Sequence, residues 1–135
     1  MALTKFHENV FLVDGDMRRP QLHDVFGVTD RDEALMEVLL NENAGALDFE
    51  RLPQKTEIDN IDIALGHPVE GASPTEVLAT GRFKAFLDWA RSRYGVVIID
   101  SPPLGILSEA IGFGQMVDDV ILVCRFDKAR KHECD

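Results

Sequence analysis

Two uninterrupted apolar runs, Val10-Phe11-Leu12-Val13 and Val96-Val97-Ile98-Ile99, each end on an aspartate, Asp14 and Asp100. A run with no polar alternation fits a strand covered on both faces, the pattern of a parallel sheet. An acid at the end of such a strand is delivered to the carboxyl edge of the sheet, where open α/β folds bind ligands. The first run continues as Gly15-Asp16-Met17-Arg18-Arg19-Pro20 and the second as Ser101-Pro102-Pro103. The phosphate-cradling sequence G-x-x-x-x-G-K-[ST] occurs nowhere in the 135 residues.

Between and after these strands the chain alternates between helical and strand patterns. Asp30 and Glu33 stand at capping-box spacing before an apolar series of Leu35, Met36, Val38, Leu39 and Leu40. Residues 46–60 are polar and weakly patterned. Ile61 to Leu65 reads as a short strand stopped by Gly66. Ser73, Pro74 and Glu76 mark a helix start, and Thr80-Gly81 marks a second. Phe83, Phe86, Leu87 and Ala90 then recur at helical spacing, with Gly95 as an expected left-handed terminator. A helix is predicted over 108–116, a last apolar strand over Val120 to Val123, and a frayed tail over 127–135. About four strands alternating with helices predict a doubly wound, mostly parallel α/β sheet, small for its kind.

Composition narrows the function classes. A chain of 135 residues suits one domain with a real core. Its formal net charge of -10 argues against a nucleic-acid surface, because Arg18-Arg19 and Lys128 to Lys131 are the only basic clusters. No apolar run approaches the roughly 20 residues of a membrane span, and no signal peptide opens the chain. The cysteines, Cys124 and Cys134, fit a reducing cytoplasm rather than a disulfide, with Cys124 expected in the core. His7, His23, His67 and His132 show no metal-ligand spacing. Trp89 is expected to pack, and Tyr94, the sole tyrosine, is expected to face the core.

Taken together, Val10 to Arg18 (an apolar run, then D-x-D-x-R), the Arg19-Pro20, Leu22-His23 and Phe26-Gly27 continuation, Gly71 to Phe83, and Tyr94 to Pro103 resemble the cytoplasmic domain of bacterial tyrosine kinases, the BY-kinases of capsule and exopolysaccharide synthesis. The resemblance runs from about Asn9 to Phe126. It implies a P-loop NTPase fold of the MinD and ParA type, here incomplete at both ends: a single partial domain over 1–135. The family's phosphate loop, its tyrosine-rich tail and a last helix and strand have no counterpart. Ser73, Gly81 and Glu109 stand where the family usually has Asn, Glu and Asp.

The resemblance implies tyrosine autophosphorylation with Mg²⁺ and ATP. It assigns Asp14 and Asp16 to catalysis, Arg18 and Asp100 to the cofactor, and Asp14 and Asp100 to Mg²⁺ through water. Hard carboxylate oxygens in small number suit Mg²⁺, which keeps most of its waters. The competing reading of Asp14, Asp16 and Asp100 is a strand-end cap on the following loop. For Arg18 and Arg19 it is a solvated or carboxylate-paired surface. Without a phosphate loop, three acids facing a polyphosphate repel it, so weak ATP binding by the chain alone is expected. The implied partners are a membrane polysaccharide co-polymerase at the inner face of the membrane or a kinase subunit that brings the phosphate loop, with no nucleic acid. A homo-oligomer covering exposed strand edges is a further expectation. Two other readings stay open: a non-catalytic docking remnant, and a ParA/MinD-like ATPase fragment, against which the Arg-Arg-Pro-x-Leu-His run argues.

Overall fold

The chain is built around one strand, β1 (Val10–Asp14), in which all five residues are buried. A computed structural model describes residues 8–28, 34–104 and 108–125. After β1 come α1 (Leu22–Phe26), α2 (Leu35–Leu40), α3 (Ala46–Phe49), β2 (Gln54–Lys55) and β3 (Ile61–Ala64). Then follow α4 (Pro74–Ala79), α5 (Arg82–Arg93), β4 (Val96–Asp100) and α6 (Ser108–Gly114). The four strands lie in the order β2-β3-β1-β4. β1 pairs in parallel with β3 on one side and β4 on the other, and the short β2 is antiparallel to β3. The chain therefore leaves β1 toward β3, then crosses back over β1 to lay down β4, so the strand order reverses at β1. A reversal of this kind opens a crevice at the carboxyl edge.

Alternate β1 side chains feed two cores, as the pleat requires. Phe11 and Val13 enter the larger, with Leu35, Leu39, Phe83, Phe86 and Phe113 from the helices. Val10 and Leu12 enter the smaller, with Ile61 and Ile63 and with Leu22 and Phe26 of α1 packed against it. β1 and β3 are thus covered on both faces. β4, expected from its apolar run to be equally covered, is only half-buried, with Ile98 36% exposed, because it lies at the edge of the sheet among the described residues. Phe11 also stacks on Tyr94, ring centroids 4.6 Å apart, and meets Phe86 and Trp89 edge-on. Each fully buried phenylalanine contributes about 2–3 kcal/mol through burial, and ring pairs add roughly 1 kcal/mol. Tyr94 and Trp89 therefore pack as expected, and Phe83, Phe86, Leu87 and Ala90 form the buried stripe of α5.

Several local expectations are corrected. Val120 to Val123 is not a strand: Val120, Ile121 and Val123 are 65%, 90% and 87% exposed and pair with nothing in the sheet. An apolar parallel strand needs a neighbour on each side, and β4 is itself an edge among the described residues. Cys124 goes with that segment and is exposed rather than in the core. The fourth strand comes instead from residues 46–60, which hold α3 and β2. α5 ends on an extended Tyr94 and not on a left-handed Gly95. Gly95 is needed for contact: a Cβ there would lie 3.1 Å from the Cβ of Glu8. Pro74 does open α4, but Ser73 makes no side-chain cap. Leu40 is partly exposed although the rest of the α2 series is buried. The Asp30–Glu33 capping box and the tail over 127–135 lie outside the described residues. Among the described residues no helix is long and apolar enough to cross a membrane.

Candidate active site at the carboxyl edge of the sheet

The parallel register sets Asp14 directly beside Asp100 at the ends of β1 and β4. The close pairing continues one residue further, where the Gly15 N–H donates to the Asp100 carbonyl at 2.8 Å. Glycine is required there: a Cβ would come within 2.7 Å of that carbonyl oxygen and 3.1 Å of the Phe113 ring. Gly66, just past β3, closes the other side, and a Cβ on it would lie 3.3 Å from the Asp14 carboxyl carbon. Two glycines thus let three backbone segments converge on one carboxylate.

Asp14 is fully buried. Its Oδ2 accepts the Leu22 N–H at 3.2 Å, and its Oδ1 has no hydrogen-bond partner. Burial pushes its carboxyl up to about 6, the Leu22 N–H opposes this, and the neighbouring Asp100 and Asp16 charges reinforce it. Asp100 is likewise raised, by burial and by Asp16. Asp16 reaches the same edge on the loop after β1, where its Oδ1 accepts the Arg19 N–H at 3.0 Å in a local turn. The three acids named from the sequence are therefore brought together.

Arg18 is placed differently. Its Nε and Nη2 donate to Glu109 Oε1 at 3.0 and 2.7 Å, so it is carboxylate-paired across 91 residues. Glu109 is buried on the first turn of α6, and the same oxygen accepts the Thr75 hydroxyl at 3.1 Å. Burial works to raise the Glu109 carboxyl, but the Arg18 and Thr75 hydrogen bonds outweigh it and hold the group below its usual range. The sequence marked Glu109 only as a departure from a family pattern. Its place on the first turn of a predicted helix was the one signal for it. Met17, buried between Asp16 and Arg18, was missed as an anchor of the loop.

The chain is similar to known proteins both in sequence and in fold. The tyrosine-protein kinase Wzc of Salmonella typhi is 32% identical over 125 residues, which cover 93% of this chain and 17% of that protein. The kinase domain of VpsO superposes with a TM-score of 0.83 at 28% identity, covering 98% of this chain and 63% of that one. This chain is a homologue of part of a bacterial tyrosine-kinase domain. The septum site-determining protein MinD of Pyrococcus horikoshii, solved with Mg-ADP, shares the fold more loosely. Its TM-score is 0.60 at 25% identity, over 82% of this chain and 43% of that one. No family model matches the chain. The kinase homologue spans about a sixth of the full length of Wzc.

The donors at the edge of this kinase homologue fit a magnesium ion in one respect. Asp14 presents a buried, unpartnered oxygen beside a second carboxylate, a hard donor set. Among the described residues no group of three or more His, Cys, Asp or Glu could hold a metal. Mg²⁺ is commonly taken by one or two carboxylates together with waters and phosphate oxygens. The nucleotide fit is poorer, since the described edge offers no glycine-rich phosphate nest.

Proposed function

We propose that Asp14, Asp16 and Asp100 form the magnesium side of an ATP-dependent tyrosine-kinase site acting in capsule or exopolysaccharide synthesis. The observation that carries this is the register pairing of Asp14 with Asp100, with one Asp14 oxygen buried and unused. Asp14 is buried while Asp100 beside it is exposed, and like charges on neighbouring strand ends repel by an amount that grows as either is withdrawn from water. A fold that keeps them together with no cation between them among the described residues is prepared for an external one. In this reading Asp14 takes the proton of the attacking hydroxyl or meets a metal-bound water. Asp16 lies on the nucleophile side, and Asp100 holds a metal-bound water. When bound, Mg²⁺ would neutralise charge on the transferring phosphoryl group. Arg18, which the resemblance assigns to the cofactor, has its Nε and Nη2 engaged by Glu109, so the magnesium side is assigned to the three acids alone.

The phosphate cradle is then supplied from outside these 135 residues, by another segment or by a P-loop-bearing subunit. A second feature supports docking of such a piece. Among the described residues β4 is an apolar edge strand, and the exposed run Val120 to Val123 carries the same interior-type pattern. The membrane polysaccharide co-polymerase would be the cytoplasmic-face partner of the assembled kinase.

Isothermal titration of Mg-ATP into the chain, alone and with a P-loop-bearing kinase subunit, tests this. The expected result is no micromolar binding by the chain alone and binding by the pair that is lost in Asp14→Asn. Micromolar binding by the isolated chain, or binding by the pair that ignores Asp14→Asn, would overturn it.

A further inference from the structure

We infer that Glu109 is a positioning residue for the acid-bearing loop, and that its task is to keep Arg18 off the Asp14 and Asp16 carboxylates. This rests on the magnesium-site reading above and adds a residue that reading does not use.

Arg18 is two residues from Asp16 and four from Asp14, on a short loop, and an arginine side chain is long enough to span separations of that order. An arginine free at that edge would pair with an acid and fill the place meant for a cation. The structure instead turns its Nε and Nη2 onto Glu109 Oε1. Glu109 is held for this by two things. It is 2% exposed on the first turn of α6, and the Thr75 hydroxyl from the first turn of α4 fixes the same oxygen. Asp16 contributes only a local bond to the Arg19 N–H, which does not compete for Arg18.

The pair is also built poorly for a purely stabilising role. Arg18 is 45% exposed, and both of its bonds go to one oxygen of Glu109, while Oε2 is buried with no partner. A bidentate fork using both oxygens would bind more strongly. The arrangement makes sense as a tether that withdraws one cation from a site reserved for another. Partners one shell out from a metal typically change its affinity 10- to 100-fold when removed.

The test uses the full chain, with Mn²⁺ as the probe for the divalent site and carboxyl NMR to titrate Asp14. Glu109→Gln is expected to weaken Mn²⁺ binding about tenfold and to lower the Asp14 titration midpoint by about one pH unit, because the released guanidinium moves onto the acids. Removing that guanidinium as well, in Arg18→Gln/Glu109→Gln, is expected to restore both values to within about twofold and a few tenths of a pH unit. A loss of contacts alone would not be rescued by a second deletion. Glu109→Asp keeps the charge on a shorter arm and should show the same changes, smaller. It also serves if Glu109→Gln fails to fold. If the single variants leave the Asp14 midpoint unchanged, or if the double variant is no better than Glu109→Gln, the inference falls. If the wild-type chain takes up no Mn²⁺, the magnesium-site reading fails and the tether that rests on it falls with it, whereas Mn²⁺ uptake that Glu109→Gln leaves unchanged overturns the tether alone.

Discussion

Two buried aspartates sit at opposite ends of the same sheet and are treated in opposite ways. Asp62, near the amino end of β3, accepts Lys55 Nζ at 2.8 and 3.0 Å and the Tyr94 hydroxyl at 2.9 Å. Asp14, at the carboxyl end of β1, has the Leu22 N–H on one oxygen, no hydrogen-bond partner on the other and two acids for company. Burial is similar; the partners differ. A satisfied acid ties β2, β3 and the end of α5 together, while an unsatisfied one is held against its own electrostatic preference. Buried polar groups without partners are uncommon, and they concentrate where a fold binds something.

The sharpest way to break the contrast is through pH. Raised above its unfolded value of about 3.9 to about 6, the Asp14 carboxyl favours the folded state when protonated. That contribution is complete below about pH 4 and lost as the pH rises through about 6. Two pH units at about 1.4 kcal/mol each set a ceiling near 3 kcal/mol, and solvent screening at the sheet edge brings it to about 2 kcal/mol. Urea unfolding of the metal-free chain should therefore give lower stability at pH 7.5 than at pH 5. Asp14→Asn should be more stable than wild type by about 2 kcal/mol at pH 7.5. Below about pH 4.5 Glu109 acts with the opposite sign, since its lowered carboxyl is lost from the Arg18 pair as it protonates.

The other acid should respond in reverse. Asp62→Ala strips the Tyr94 hydroxyl of its acceptor and is expected to cost about 1.5 kcal/mol at pH 7.5, read as a lower urea midpoint. A stability gain there would erase the distinction between the two ends. Tyr94→Phe keeps the stack on Phe11 and removes one hydrogen bond, so the loss should be about 1 kcal/mol or less. Burial and the Asp62 carboxylate both push the Tyr94 phenol up. Absorbance titration should find it un-ionised well above the range of a free tyrosine, and Asp62→Ala should bring it back toward that range.

The uneven legibility of the fold has a local explanation. The VFLVD and VVIID runs announced parallel strands because unbroken apolarity is written residue by residue, and the β1–β4 register then had to bring their terminal acids side by side. The stripe of Phe83, Phe86, Leu87 and Ala90 was equally readable, since helical spacing repeats within a few residues. Val120 to Val123 carried the same kind of signal and misled. Whether an apolar run becomes a strand depends on a neighbour with free hydrogen-bonding groups, and its own residues do not specify that neighbour. β2 failed in the other direction: two polar residues become a strand because β3 lies beside them.

The site divides along the same line. Which residue types stand ready for a hard cation, and that they sit at strand tips, followed from side-chain chemistry and a two-residue period. Their partners did not. Arg18 was open to a phosphate, to solvent or to a carboxylate, and Glu109 from α6 took it across 91 residues of intervening chain. Asp14 was raised by burial, and Asp62 was paired with the Lys55 ammonium and hydrogen-bonded by the Tyr94 hydroxyl, through neighbours that the packing of α1, α5 and β2 delivered. Composition and periodicity act over a few bonds, whereas desolvation and ion pairing are properties of the space a side chain finally occupies.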